Sequence, residues 1–94
     1  MEIRHDAERR RFVTEVDGHE GVLDYRRLDD GTLDYRHTFV PPALRGRGVG
    51  ARLVLHALDH ARAQGVKIVP TCPFVERVIA EHPGYEDLVA GPAS

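Results

Sequence analysis

The chain predicts an α+β fold: an antiparallel β-meander, then a β-α-β crossover, then a short C-terminal helix. Three observations predict it. Alternation of apolar and polar residues with period two runs through the first 40 residues. One long stripe at four-residue spacing follows, between the glycines at 46–50 and Gly65. A short apolar run and a proline-started helix come after it.

In the first strand, Arg11 to Val16, the residues Phe12, Thr14 and Val16 alternate with Val13 and Glu15. From Gly21 to Leu28, Leu23 and Tyr25 are separated by Asp24 and Arg26. From Thr32 to Val40, Leu33, Tyr35, His37 and Phe39 share one parity, and Asp34, Arg36 and Thr38 the other. Asp17-Gly18 and Asp29-Asp30-Gly31 supply the turns, which makes these three strands a meander. Pro41-Pro42 stops the third strand, because neither residue has an N–H for the ladder. A helix is expected from Gly48 to Gln64. Val49, Leu53, Ala57 and Ala61, with Gly50, Val54 and Leu58 beside them, form its inner stripe, and Gly65 is its left-handed terminator. Val66 to Thr71 reads as a fourth strand, which a right-handed crossover places parallel to the third. Pro73 suits the first turn of a second helix capped by Thr71 or Cys72. Phe74, Val75, Val78 and Ile79 form that helix's stripe, and His82-Pro83-Gly84 ends it.

Bulk properties narrow the function classes. Ninety-four residues support one core, so a single domain over residues 1–94 is expected. No apolar stretch approaches the roughly 20 residues that span a bilayer. The start, Met1 to Asp6, lacks the order of a signal peptide, and a lone cysteine suits a reducing cytosol. A cytoplasmic monomer with no membrane partner is the expectation. A net charge of −2 counts against a nucleic-acid binder. Arg9-Arg10-Arg11 is locally basic, but its acidic neighbours make it a solvated strand entry.

The run Arg45-Gly46-Arg47-Gly48-Val49-Gly50 is the strongest functional signal. Glycine admits positive φ and close approach of a ligand to backbone. The first N–H groups of a helix lack internal partners, and the helix dipole adds positive character there, so the natural ligand is an anion. Arg45 and Arg47 add guanidinium forks that suit phosphate oxygens. A turn that merely connects strand to helix explains three glycines and two arginines poorly, since a glycine in a helix costs about 1 kcal/mol against alanine. Gly46-x-Gly48-x-x-Ala51 formally fits a dinucleotide-binding pattern, yet Ile68-Val69-Pro70-Thr71 offers no acid for a ribose. Val49-Gly50-Ala51 is not the Gly-Lys-Ser/Thr of a Walker loop.

Placed between a strand and a helix, Arg45-x-x-Gly48-x-Gly50 resembles the Q/R-x-x-G-x-G/A pyrophosphate loop of the GNAT acetyltransferase superfamily. The run from His37 through Pro41-Pro42 to Gly50, with Ile68 to Val75 and His82-Pro83, resembles its short one-domain YjdJ-like branch. The likeness covers about His37 to Leu88; the first 36 residues match only in strand pattern. It implies a GNAT-like fold and acetyl-coenzyme A as cofactor. It also implies pantetheine lying along Phe39 and Val40, with the pyrophosphate on Arg45, Gly46, Arg47, Gly48, Val49 and Gly50. The thioester would then sit near Cys72, and the acceptor would be an amine not identified by the sequence. Many GNAT enzymes carry a tyrosine acid in the second helix; here Phe74 stands in that region, and the next tyrosine is Tyr85.

Two residues are therefore candidates for the chemistry. Cys72, at a helix start where a thiolate is favoured, could protonate the leaving thiolate or carry the acetyl group; the plainer account is a small buried apolar side chain. His37 suits a general base because histidine titrates near neutral pH, although its parity makes it a hydrogen-bonded core-edge residue. His56 and His60 lie one helical turn apart with no third ligand evident, so no metal site is expected; His5, His19 and His82 offer no constellation. A coenzyme A-binding module with little transferase activity is the alternative, because little chain remains to build an acceptor pocket.

Overall fold

The computed structural model describes residues 1–91. Its elements are β1 (Ile3–Asp6), β2 (Arg11–Val16), β3 (His19–Arg27), β4 (Leu33–Phe39), α1 (Val49–Gln64), β5 (Ile68–Val69) and α2 (Pro73–Glu81). Short 3₁₀ turns occupy Pro42–Leu44 and Pro83–Leu88. The strands form one sheet in the order β1-β2-β3-β4-β5, antiparallel throughout except for the parallel pair β4–β5. The α+β reading holds, with its meander, its crossover and its short second helix. No helix among the described residues is long and apolar enough to cross a membrane.

Two local expectations need correction. Ile3–Asp6 is a strand that pairs with β2, register Ile3 with Thr14 and His5 with Phe12. Only Ile3 there is aliphatic, so four residues give no periodic signal; pairing makes the strand. The expected fourth strand from Val66 to Thr71 shrinks to Ile68–Val69, because Pro70 lacks an N–H and the chain turns away to start α2.

The inner face of the sheet carries Phe12, Leu23, Tyr25, Leu33 and Tyr35, all buried. Against it lies α1, with the predicted stripe of Val49, Gly50, Leu53, Val54, Ala57, Leu58 and Ala61 buried and Gly65 in the left-handed conformation at its end. The Tyr35 hydroxyl donates to the Ala57 carbonyl inside this core. Along α2, Val75, Val78 and Ile79 join the cluster, whereas Phe74 is only half-buried. Each fully buried Leu, Val or Phe side chain contributes about 1.5–3 kcal/mol relative to exposure. Gaps in this layer are therefore costly, and the helix heads are held firmly.

Candidate active site

The site begins with an irregularity in β4. Cross-strand pairing runs Tyr25 with Tyr35, then jumps to Asp24 with His37, Leu23 with Thr38 and Val22 with Phe39. Arg36 is thus the extra residue of a bulge, and beyond it the faces exchange. Thr38 joins Leu23 on the helix side, while His37 and Phe39 turn outward and are exposed. His37 is consequently no core-edge histidine; the parity shared with Leu33 and Tyr35 breaks at the bulge.

The bulge coincides with a fork. β5 pairs with β4 only through Leu33–Ile68 and Asp34–Val69, after which the Cys72 N–H donates to the Tyr35 carbonyl at 3.0 Å. β4 continues to Phe39, so its last residues have no strand partner on the β5 side among the described residues. Cys72 is the N-cap of α2 at this fork and is 6% exposed. Its thiol donates to Thr38 Oγ1 at 3.7 Å. Burial pushes the thiol up, but hydrogen bonds that the deprotonated sulfur would accept from the Val75 N–H, the Thr38 hydroxyl and the Phe74 N–H outweigh it, and the net shift is downward.

The glycine turn opens beside the same strand end. Gly48 caps α1 at φ +77° with no side-chain cap bond, and no acid lies in the first turn. The first intrahelical bond runs from Arg52 N–H to Gly48 C=O, which leaves the preceding N–H groups without helical acceptors. Gly46 is also left-handed, at φ +79°, and a Cβ on either residue would meet nothing within 4 Å. Gly50 differs: its Cβ would lie 3.0 Å from Phe74 Cε2 and 3.2 Å from Val40 Cγ2, so here glycine permits close packing. Arg45 Nε donates to the Val40 carbonyl at 3.2 Å, and Arg47 pairs with Asp17 at 3.1 Å.

Two adjoining cavities follow these groups. One, of ≈230 Å³, is lined by Leu44, Gly46, Gly48, Val49 and Gly50 and shares Val40, Arg45 and Phe74 with the other. The second, of ≈560 Å³, adds His37, Thr38, Phe39 and Arg77. The structure therefore brings His37, Phe39, Val40, Arg45 and the glycines to one groove. Cys72 lies behind Thr38, and Arg47 is turned toward Asp17.

All three tyrosine hydroxyls are committed elsewhere: Tyr25 with His5 at 2.7 Å, Tyr35 with Ala57, and Tyr85 with Asp59 at 2.7 Å. A tyrosine acid is thus not supplied at the fork, where Phe74 packs on Gly50. Sequence reasoning missed Thr38 and Asp17. The bulge hides Thr38's orientation, and no local signal links Asp17 to a loop 30 residues later.

Comparison with known proteins places the chain. The model of the GCN5-related N-acetyltransferase family matches residues 11–88. The chain belongs to that family. It is 34% identical over 85 residues to the protein NATD1 of Xenopus tropicalis, covering 88% of this chain and 78% of that protein. Human NATD1 is likewise 34% identical, with 88% and 75% covered. An uncharacterized N-acetyltransferase of Escherichia coli, YjgM, is 31% identical over 82% of this chain and 48% of its own length. The solution structure of a GCN5-like protein from Staphylococcus aureus superposes with a TM-score of 0.74 at 27% identity, covering 98% of this chain and 90% of that one. In this GCN5-related chain the α+β architecture is therefore the family's fold, with the glycine turn at the head of the crossover helix.

Proposed function

We propose that this chain binds acetyl-coenzyme A and transfers its acetyl group to an amine. The observation that carries the reading is the continuity of the groove: an uncapped helix head, the end of β4 with no strand partner on its β5 side among the described residues, and Cys72 at the fork beside it. The loop fits a pyrophosphate because Gly46 and Gly48 leave open space, N–H donors and positive dipole at one point. Arg45, its Nε tied to Val40, holds its terminal nitrogens ready as a phosphate fork. Phe39 and Val40 offer backbone groups to an extended amide chain, as an added strand would use them.

When bound, acetyl-coenzyme A supplies an acyl carbon activated by a thiolate leaving group. Cys72 is our candidate for the residue that holds the proton for that sulfur, because the three tyrosines are engaged elsewhere and Thr38 bonds its thiol. His37, exposed in the same groove, is our candidate base for the incoming amine. Titration followed by calorimetry and by NMR tests the binding: acetyl-coenzyme A should give a binding heat and NMR shifts at Gly46 to Gly50, and NADH should give neither. A preference for NADH overturns it. Turnover against a panel of amines tests the chemistry. Cys72→Ala should retain binding within about twofold and lose at least about 100-fold in turnover; equal turnover removes Cys72 from the mechanism.

A second reading, a coenzyme A-binding module, is favoured by the absence of a tyrosine acid at the fork among the described residues. Tight binding with no turnover toward any amine decides for it.

A further inference from the structure

A further cavity lies on the flank of α1 that faces β1, three strands away from the β4 edge where the coenzyme groove runs. It measures ≈410 Å³ and is lined by Met1, Ile3, Arg52, Leu55, His56 and Asp59. None of these residues lines the coenzyme groove. Met1 and Phe39 are the large apolar side chains that stand exposed among the described residues, and Phe39 belongs to that groove. Ile3 and Leu55 are half-buried at the cavity, while Arg52, His56 and Asp59 are exposed around it. An apolar floor with a charged rim, left open to solvent, has the make-up of a docking face.

The charges on this face define what covers it. Arg52 and Asp59 stand two turns apart on one side of α1, about 10.5 Å along the axis and too far to pair with each other. No ion pair among the described residues includes either of them. Asp59 accepts from the Tyr85 hydroxyl on Oδ1, which leaves Oδ2 for a second donor. The midpoint of Arg52 and Asp59 falls between Leu55 and His56. A two-fold axis through that midpoint runs a second α1 antiparallel to the first, and sets Arg52 of each copy against Asp59 of the other. Leu55 then meets His56 of the other copy, with Met1 and Ile3 beside the crossing. An isologous contact needs a surface complementary to itself, and this order of charges supplies one. We propose that this flank of α1 docks a second copy of the chain in a two-fold dimer, in place of the monomer expected from the sequence. The face is small and its ion pairs lie at the rim, so they fix the register while the association stays weak and reversible.

Sedimentation velocity from roughly 10 µM to 1 mM, a range that spans weak association, tests the assignment. The wild type should pass from monomer toward dimer as concentration rises. Arg52→Asp and Asp59→Arg should each raise the dissociation constant at least about tenfold, because like charges then face each other twice. Mixed in equal amounts, the two variants should form a heterodimer, since both contacts again join an arginine to an aspartate. The double variant should recover the homodimer for the same reason. Recovery in either form also shows that the single variants are folded. A wild type that stays monomeric to the top of the range overturns the proposal. So do single variants that dimerise as the wild type does, and so does a mixture that fails to associate.

Discussion

Gly48 and Gly50 stand two residues apart in one turn and answer to different physics. Gly48 holds φ +77° with open space around its Cβ position, so its cost of substitution is conformational. Gly48→Ala should lose about 1–2 kcal/mol, the penalty of an L-residue in the left-handed region. Gly50 has no such dihedral; its constraint is the Phe74 ring at 3.0 Å and Val40 at 3.2 Å. Gly50→Ala overpacks that contact and should lose about 1–3 kcal/mol. Urea midpoints for both variants, alone and with Phe74→Leu, separate the two causes. Phe74→Leu should recover part of the loss in Gly50→Ala and none in Gly48→Ala. Recovery in both would show that the left-handed backbone is not the constraint at 48. Glycine spacing in the sequence announces the turn, but it does not tell a dihedral need from a packing need.

Elements reveal what residue types alone do not. β1 is held to the molecule by an aromatic cluster: His5 stacks on Phe12 at 4.6 Å, meets the His60 ring at 4.4 Å and bonds Tyr25. In sequence His5 and His60 are 55 residues apart, and nothing in either neighbourhood joins them. Burial lowers both pKa values below 6.5; for His5, His56 and Arg27 add to this and Asp6 opposes it, and for His60, His5, His56 and Arg27 add to it. The folded state thus prefers both imidazoles neutral. Their contribution is intact above the unfolded pKa of about 6.5 and is lost as pH falls below it toward the depressed folded values. Urea midpoints should drop between pH 7.5 and 5, and His60→Gln should flatten that slope. An unchanged slope in His60→Gln would remove the pair as its source. Acidification should also expose β1 amides to hydrogen exchange before those of β3, since β1 lies at the edge of the sheet.

At the scale of the molecule, the segment after α2 is clasped back onto α1. Arg62 meets both Asp87 carboxylate oxygens at 2.9 Å and donates to the Gly84 carbonyl, while Lys67 donates to the Asp87 carbonyl at 2.6 Å. The Ala90 N–H donates to the Ile68 carbonyl at 2.9 Å and extends the covered edge of β5. Arg62→Ala should lower the thermal midpoint and release exchange protection near Leu88 and Val89 first. Raising the salt should shrink the difference, because the pair is exposed and screened. An undiminished difference at high salt would assign the effect to packing. The sequence by itself determined the meander, the crossover, the stripe of α1 and the glycine turn at its head, since alternation, helical spacing and glycine placement are local consequences of backbone geometry. Tertiary structure alone decided the exchange of faces at Arg36, the strand at Ile3–Asp6, the Thr38–Cys72 contact and the stacking of Arg77 on Phe74. Each of these depends on a partner remote in the chain, or on a bulge that resets the period, and neither leaves a mark in the spacing of residues.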